Sequence, residues 1–424
     1  MQIPAAAQWS TSFDVDRATQ AWLDTVSGVQ RLRSDAYFEG GYWLLLWNLL
    51  WGLGIAALLL SGRRSARLRD WTERVTTRRW LQTLLYAAIY LLLTWVLSLP
   101  LTIYQDYFRE HHYDLANQTF LPWFGEQCIS LALLLVFGSV FIALLYWVVR
   151  RTGERWWAWG AGLSTLFVLL AIVIGPVFVL PLFNDYRPLP PGDVRDSILS
   201  LARANGIPAD NVYVFDASKQ TTRVSANVAG ALGTTRIALN DNLLNHTSLP
   251  EIRAVMAHEM GHYVLHHIWR SVIYLGVLTV FGLLLLHRMF DWLLQRWGAR
   301  LDIRNRADVA GLPLAVALLS ILGLLATPLT NSITRQQESE ADIFGLNAAR
   351  EPQAFASVAM RLSSYRKLTP APLEELLMYD HPSGRTRVHM AMTWLAENPP
   401  RPAAQPSQSA AASPNPPSPS PPVP

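Results

Sequence analysis

The sequence predicts a mainly α-helical, polytopic integral membrane protein of about six transmembrane helices, with a small β-sheet in its polar part. Three observations carry that expectation. Of 424 residues 51% are hydrophobic, and the mean hydropathy of +0.18 is high for a soluble chain. The apolar residues gather into six runs, near 43–61, 81–104, 129–149, 156–180, 271–289 and 310–329, each close to the twenty residues that cross a bilayer as helix. Two polar stretches lie between and after these runs, and one of them carries strand-like segments.

Taken in order, residues 1–42 form a mixed polar segment with a helical pattern around DRATQAWLDTV. Residues 43–180 hold four apolar runs, and Trp43, Trp80 and Trp156 stand at run ends, where interfacial aromatic anchors belong. Several runs carry no charge for twenty residues, which disfavours buried core helices of a soluble protein. In 181–270 a helix is expected over 193–205 and strands over VYVFDA (212–217) and TTRIALND (234–241), with SKQTTRVSANVAGAL between them as a third. Pro250 then opens a further helix. Residues 271–329 form a transmembrane hairpin, and 330–398 read as helices broken at TPAP and HPSG. Residues 399–424 are almost all Pro, Ser and Ala, a composition that cannot build a core and is expected to be a disordered spacer.

Composition also excludes. The net charge is +4, only Lys219 and Lys367 are lysines, and the arginines are confined to short loops, so no nucleic-acid-binding face is expected. The single Cys128 excludes an intrachain disulfide framework and a cysteine-rich metal site. The first twenty residues lack a basic start followed by a short apolar run, so the first spanning helix is expected to direct membrane insertion.

The chemistry is concentrated in VMAHEMGHYV (255–264). On a helix His258 and His262 are four residues apart, so both imidazoles project from one face and can grip one metal ion. Glu259 beside them is placed to take a proton from an attacking water. Such a pair needs a third ligand. After the last apolar run, LTNSITRQQESEADIFG offers Glu338, Glu340 and Asp342, with the small Ala341 allowing close helix packing. Spacing alone does not choose among the three acids.

At this point the chain resembles the Ste24-type CAAX prenyl protease family, integral-membrane zinc metallopeptidases. The resemblance runs from about residue 37 to 395 and includes YFEGGYW (37–43), YDLANQT (113–119), PLFNDYRPLPPG (181–192) and VYVFDASK (212–219). The family pattern N-x-x-S-R-x-x-E-x-x-A-D is present as Asn331, Thr334, Arg335, Glu338, Ala341 and Asp342, and HPxxxxR as His381, Pro382 and Arg387. The resemblance implies a zincin-like metallopeptidase domain built from 181–270 and 330–398, and one Zn2+ per chain held by His258, His262 and Glu338. It implies that Asp342 orients a ligand histidine. His381 is then the donor to the oxyanion that forms during peptide hydrolysis, with Arg335 and Arg387 organising the carboxylates. Asn331 and the stretch Val224, Ser225, Ala226 and Asn227 are candidates for holding the substrate backbone, through main-chain pairing to an extended peptide. Here the family usually shows a histidine before Ser-Asn-Ala-Tyr, whereas this chain has Arg223. The family's eukaryotic members also resemble seven-helix proteins, one helix more than the six counted here.

The expected partners are a peptide or protein substrate and the lipid bilayer, with no stable protein partner. Arg63–Arg79, Arg150–Arg155 and Arg288–Arg306 form three arginine-rich loops, which the positive-inside rule places in the cytoplasm. In a bacterial inner membrane the HExxH side would then face outward, whereas the family resemblance puts it in the cytosol. The alternatives are an HtpX-like quality-control protease and a non-catalytic transporter or scaffold with a structural metal. A structural site, however, wants four protein ligands, and Glu259 would have no task in it.

Overall fold

The computed structural model describes residues 1–229 and 235–400. Helix α1 (Val15–Leu23) starts where the Asp14 side chain accepts from Arg17 N–H, satisfying one of the free donors of a helix start. It does not float in a polar leader: Trp22 and Leu23 are fully buried against Met360, Val388 and Met392 of the C-terminal helices. Burial of each such side chain contributes about 1.5–3 kcal/mol. Helix α2 (Gly28–Leu60) begins well before the first apolar run, because Ser27 and Gln30 form a capping box there.

Helices α3 (Arg64–Val75) and α4 (Arg79–Thr102) follow, and α4 continues through a π-helical turn at Ile103–Phe108. The next pass joins α5 (Phe120–Leu133) to α6 (Ser139–Thr152) through a second π-turn, Leu134–Gly138. At Gly153 φ is 54°, a left-handed conformation that glycine adopts without strain, and α7 (Trp156–Ile174) turns back. A Cβ on Gly160 would lie 3.1 Å from Leu145 of α6, so the two helices pack closely. Among the described residues five continuous helical runs are long and apolar enough to cross a membrane; Phe120–Leu182 holds both α5–α6 and α7, which gives six passes.

Trp43 and Trp80 are exposed at 65% and 56%, as interfacial anchors should be. Trp156 is not. It is buried among Leu283, Leu286 and Phe290, and its indole N–H donates to His287 Nδ1 at 3.1 Å. A buried indole needs an acceptor, and a histidine on the later helix His267–Leu301 supplies it, which the sequence position could not reveal.

Helix α8 (Asp193–Ala204) packs on a four-stranded sheet ordered β1-β2-β4-β3. Strands β2 (Val212–Phe215), β3 (Ala226–Ala229) and β4 (Arg236–Asn240) fall in the three segments expected; β1 (Tyr186–Pro188) was not expected. β2 and β4 are parallel, β1 pairs antiparallel with β2, and β3 pairs antiparallel with β4, Asn227 opposite Ala238. β4 is central and Ile237–Asn240 are fully buried, which leaves β3 as an edge strand. Thr234 of the expected strand and the proline-rich tail from Arg401 onward lie outside the described residues.

Helices α9 (Leu249–Val264), α10 (His267–Leu301), α11 (Leu312–Ala349), α12 (Pro352–Leu362), α13 (Pro372–Met378) and α14 (Gly384–Glu397) complete the chain. α10 and α11 form the expected hairpin. The three arginine-rich loops meet at its far end: Arg69 Nη1 lies 2.6 Å from Asp308 Oδ2, and Arg306 Nη2 lies 2.7 Å from Glu154 Oε1.

Candidate metal centre and active-site cleft

Helix α9 carries the HExxH sequence and is built to hold it still. Glu251, in its first turn, accepts from Ser248 N–H at 2.8 Å, from Ser357 Oγ at 2.7 Å and from Arg361 Nε at 2.8 Å, tying α9 to α12. Ile252, Met256 and Met260 enter the core beneath the sheet, while Ala254 joins the core under α12 and α14. Its remaining face meets α11 with almost no side chain between. A Cβ on Gly261 would sit 3.1 Å from Ala341 Cα, and one on Gly345 would sit 3.0 Å from His258 N. This backbone approach brings the acids of α11 to the histidines of α9.

His258 Nε2 and His262 Nε2 lie 3.2 Å apart. Glu338 Oε2 is 3.3 Å from the first and Glu338 Oε1 is 3.4 Å from the second. The two imidazole nitrogens and the carboxylate thus converge on one point. A tetrahedral metal with bonds of about 2.0–2.2 Å would separate its ligand atoms by about 3.3 Å, so the spacing fits one small cation at the centre. The donor set agrees: among the described residues Glu338 Oε2 is buried with no hydrogen-bond partner, and these three side chains form the one group able to hold a metal. Burial works against charge on both histidines. At His258 the neighbouring Asp342 and Glu338 carboxylates outweigh it and hold the imidazole up at about 10, whereas His262, facing His258, falls to about 4.

The three acids of α11 have separate places. Glu338 faces the histidine pair. Asp342 is fully buried, its Oδ1 lies 2.8 Å from His258 Nδ1, and it accepts from Arg387. Glu340 points away from the pair, to His267 Nε2 at 3.2 Å and Arg270 Nη1 at 2.5 Å. His267 in turn sets its Nδ1 2.9 Å from His262 Nδ1. The sequence reading missed His267 altogether.

Glu259 is half-buried on the wall of a cleft of about 170 Å³, and no described side chain donates to its carboxylate. Burial pushes that carboxyl up to about 7, the range of a general base near neutral pH. His381 Nε2 faces Glu338 Oε2 at 3.3 Å and its Nδ1 lies 2.8 Å from Asp380. Opposite stand Val224, Ser225 and Ala226 at the start of the edge strand; Asn227 does not line the cleft. Phe355, Val358 and Leu362 give the cleft an apolar wall with Arg366 beside it.

Two expected residues sit elsewhere. Among the described residues Arg335 touches no carboxylate; it donates to the carbonyl oxygens of Glu375 and Tyr379 at 2.9 and 2.5 Å, closing the C-terminus of α13. Four free carbonyls at a helix end attract a cation as a carboxylate would. Asn331 likewise donates to Leu377 O at 3.0 Å and lies outside the cleft. Arg223, the departure noted before the edge strand, binds Glu110 at 2.6 Å and Tyr37 at 2.7 Å, fastening this strand to α2 and to the end of the α4 pass.

A family model described as peptidase family M48 matches residues 188–395, and one described as CAAX prenyl protease N-terminal, five membrane helices, matches residues 23–185. An uncharacterized metalloprotease, YhfN, of Bacillus subtilis is 30% identical over 79% of this chain and 78% of its own length. The chain belongs to peptidase family M48. CAAX prenyl protease 1 of Saccharomyces cerevisiae is 28% identical to this M48 peptidase over 74% of the chain and 73% of its own. The crystal structure of S. mikatae Ste24p has the same fold: TM-score 0.72 at 23% identity, over 87% of this chain and 90% of that one. The M48 peptidase is thus a multi-pass membrane metallopeptidase of the CAAX-prenyl-protease-like type, and neither a transporter nor a scaffold is favoured. Within residues 23–185 it has four passes, α2, α4, α5–α6 and α7, against the five in the family description.

Proposed function

We propose that the protein is a zinc-dependent endopeptidase that cuts extended peptide segments close to the membrane. The observation that carries this reading is the triangle of His258, His262 and Glu338, with edges of 3.2–3.4 Å, beside the Glu259 carboxylate, to which no described side chain donates. Zinc held there supplies Lewis acidity, making water easier to deprotonate and drawing charge from the carbonyl oxygen.

The chain's own residues do the rest. A substrate strand pairs with the sheet edge at Val224–Ala226 and lays its carbonyl carbon between Glu259 and His381. Glu259 takes a proton as water adds to that carbon. His381, oriented by Asp380, donates from Nε2 to the oxygen that becomes negative. Glu259 then delivers its proton to the amine nitrogen as the C–N bond breaks.

The clustered arginine loops at the opposite end support an orientation with that end in the cytoplasm of a bacterial inner membrane and the cleft outward. Membrane or exported proteins are then the substrate class. The relatives' names would otherwise point to C-terminal CAAX peptides. The decisive experiment is cleavage of an unstructured reporter peptide by detergent-purified protein, comparing wild type, Glu259→Gln and a chelated sample, with zinc counted in each. Loss of cleavage in Glu259→Gln with zinc near one per chain supports the reading; retained cleavage overturns it.

A further inference from the structure

At the far end of the hairpin, about 50 Å along α10 from the histidines, lies a cleft of about 260 Å³ formed by α3, the start of α4, the end of α6 and the loop before α11. Four arginines line it, Arg69, Arg79, Arg150 and Arg304, against two carboxylates, Glu73 and Asp308. Both carboxylates are already engaged. Asp308 binds Arg69 at 2.6 Å and Glu73 binds Arg304 at 2.6 Å. The nearby Asp70 and Asp302 also go to Arg69, Arg304 and Arg63.

That leaves two cations over. Among the described residues Arg79 has no side-chain partner, and Arg150 has only the Thr83 hydroxyl at 3.2 Å. The N-terminus of the 24-residue α4 opens into the same cleft, and no side chain caps it. Its free N–H groups and dipole add to the positive field, and Gln82, whose Nε2 donates one N–H to Thr76 O, has a second to offer. Trp80 and Trp147, exposed at 56% and 57%, stand one turn or less from Arg79 and Arg150, the place of an interfacial aromatic belt.

We propose that this cleft is a binding site for a phosphate group, gripped by Arg79 and Arg150 over the start of α4. Guanidinium pairs match phosphate oxygens in geometry and charge, and phosphate at this depth is presented by an acidic phospholipid headgroup or by a soluble phosphate from the same side. The site is separate from peptide hydrolysis and does not depend on how the cleft at His258 works.

The test uses the full chain in phosphatidylcholine nanodiscs. One arm titrates inorganic phosphate; the other replaces phosphatidylcholine stepwise with phosphatidylglycerol. Both read the midpoint of thermal unfolding. In the wild type the midpoint rises in at least one arm. In Arg79→Gln/Arg150→Gln the phosphate or lipid needed for the same rise increases by about tenfold or more. Arg74→Gln/Arg151→Gln, which loses the same charge outside the cleft, responds as wild type. Peptidase activity without added phosphate, unchanged in all three, serves as the check on folding. Arg79→Gln alone replaces the double variant should the latter not fold, and a weakened response in it supports the site. A rise with lipid alone identifies the headgroup as the source; a rise with phosphate in phosphatidylcholine identifies a soluble one. No rise in either arm, or an equal loss in the control pair, overturns the site and leaves only general attraction to anions.

Discussion

The Nδ1 atoms of His262 and His267 lie 2.9 Å apart, so one ring must donate and the other accept. If His262 offers Nε2 to a metal, its proton is on Nδ1 and points to His267. His267 then carries its own proton on Nε2, aimed at Glu340 Oε2 at 3.2 Å, and Arg270 holds that carboxylate. The chain His262–His267–Glu340–Arg270 fixes one tautomer from end to end. His267→Phe is expected to weaken zinc affinity by about 10- to 100-fold, measured by competition with a chromogenic chelator. Glu340→Gln should act in the same direction and less strongly. Unchanged zinc affinity in His267→Phe would rule out this orienting role.

Gly345→Ala sets two effects against each other. Helix propensity favours alanine by about 1 kcal/mol, but the new Cβ would meet His258 N at 3.0 Å and Cα at 3.2 Å, both backbone atoms that cannot rotate away. Overpacking of this kind costs about 1–3 kcal/mol. A lower unfolding midpoint and reduced zinc content are expected. Gly41→Ala, with nothing within 4 Å, should be neutral or stabilising.

The acid limb of stability should depend on Glu251. Burial raises its carboxyl, but the bonds from Arg361, Ser248 and Ser357 outweigh burial and bring it down to about 2. A depressed carboxyl stabilises the fold fully above its ordinary value near 4.5 and loses that contribution as pH falls from there toward about 2, on the order of 3 kcal/mol in all. Glu251→Gln is therefore expected to be less stable than wild type at neutral pH, with the gap closing on acidification below about 4.5. Denaturant unfolding of both proteins across pH 3–7 reads this; a pH-independent gap would contradict it.

His381→Ala should lower kcat by about 10²–10³ with little change in KM, since it removes a donor needed only as the oxyanion forms. Zinc content should stay near one per chain, which separates this outcome from loss of a ligand. A rise in KM alone would assign His381 to ground-state binding.

Much of the site was legible because helical periodicity acts locally. His258 and His262 share a face by spacing, and Glu338 and Asp342 do the same, while Glu340 falls well round the helix from both. What spacing could not give was which acid met which partner, since that depends on how α11 lies against α9. The contact is decided by Gly261 and Gly345, whose significance is the absence of a side chain. Arg335 illustrates the same limit: its charge predicted an anionic neighbour, and only the fold showed that carbonyls at the end of α13 fill that role. Strand β1 escaped notice because three residues including a proline carry no alternation, and its pairing with β2 is a long-range fact. Trp156 stood at the end of an apolar run as an anchor would, yet it turns inward to His287.

Glu338 belongs to the same helix, Leu312–Ala349, that crosses the membrane. The apolar run of that helix ends near residue 329, so the carboxylate stands about 13 Å further along the axis. The proposed hydrolytic centre is therefore fixed at one height above the lipid, like a blade on a post. On that proposal a substrate held in the bilayer would be cut at the bond that reaches this height, which would make distance from the membrane a criterion of choice alongside the residues around the bond.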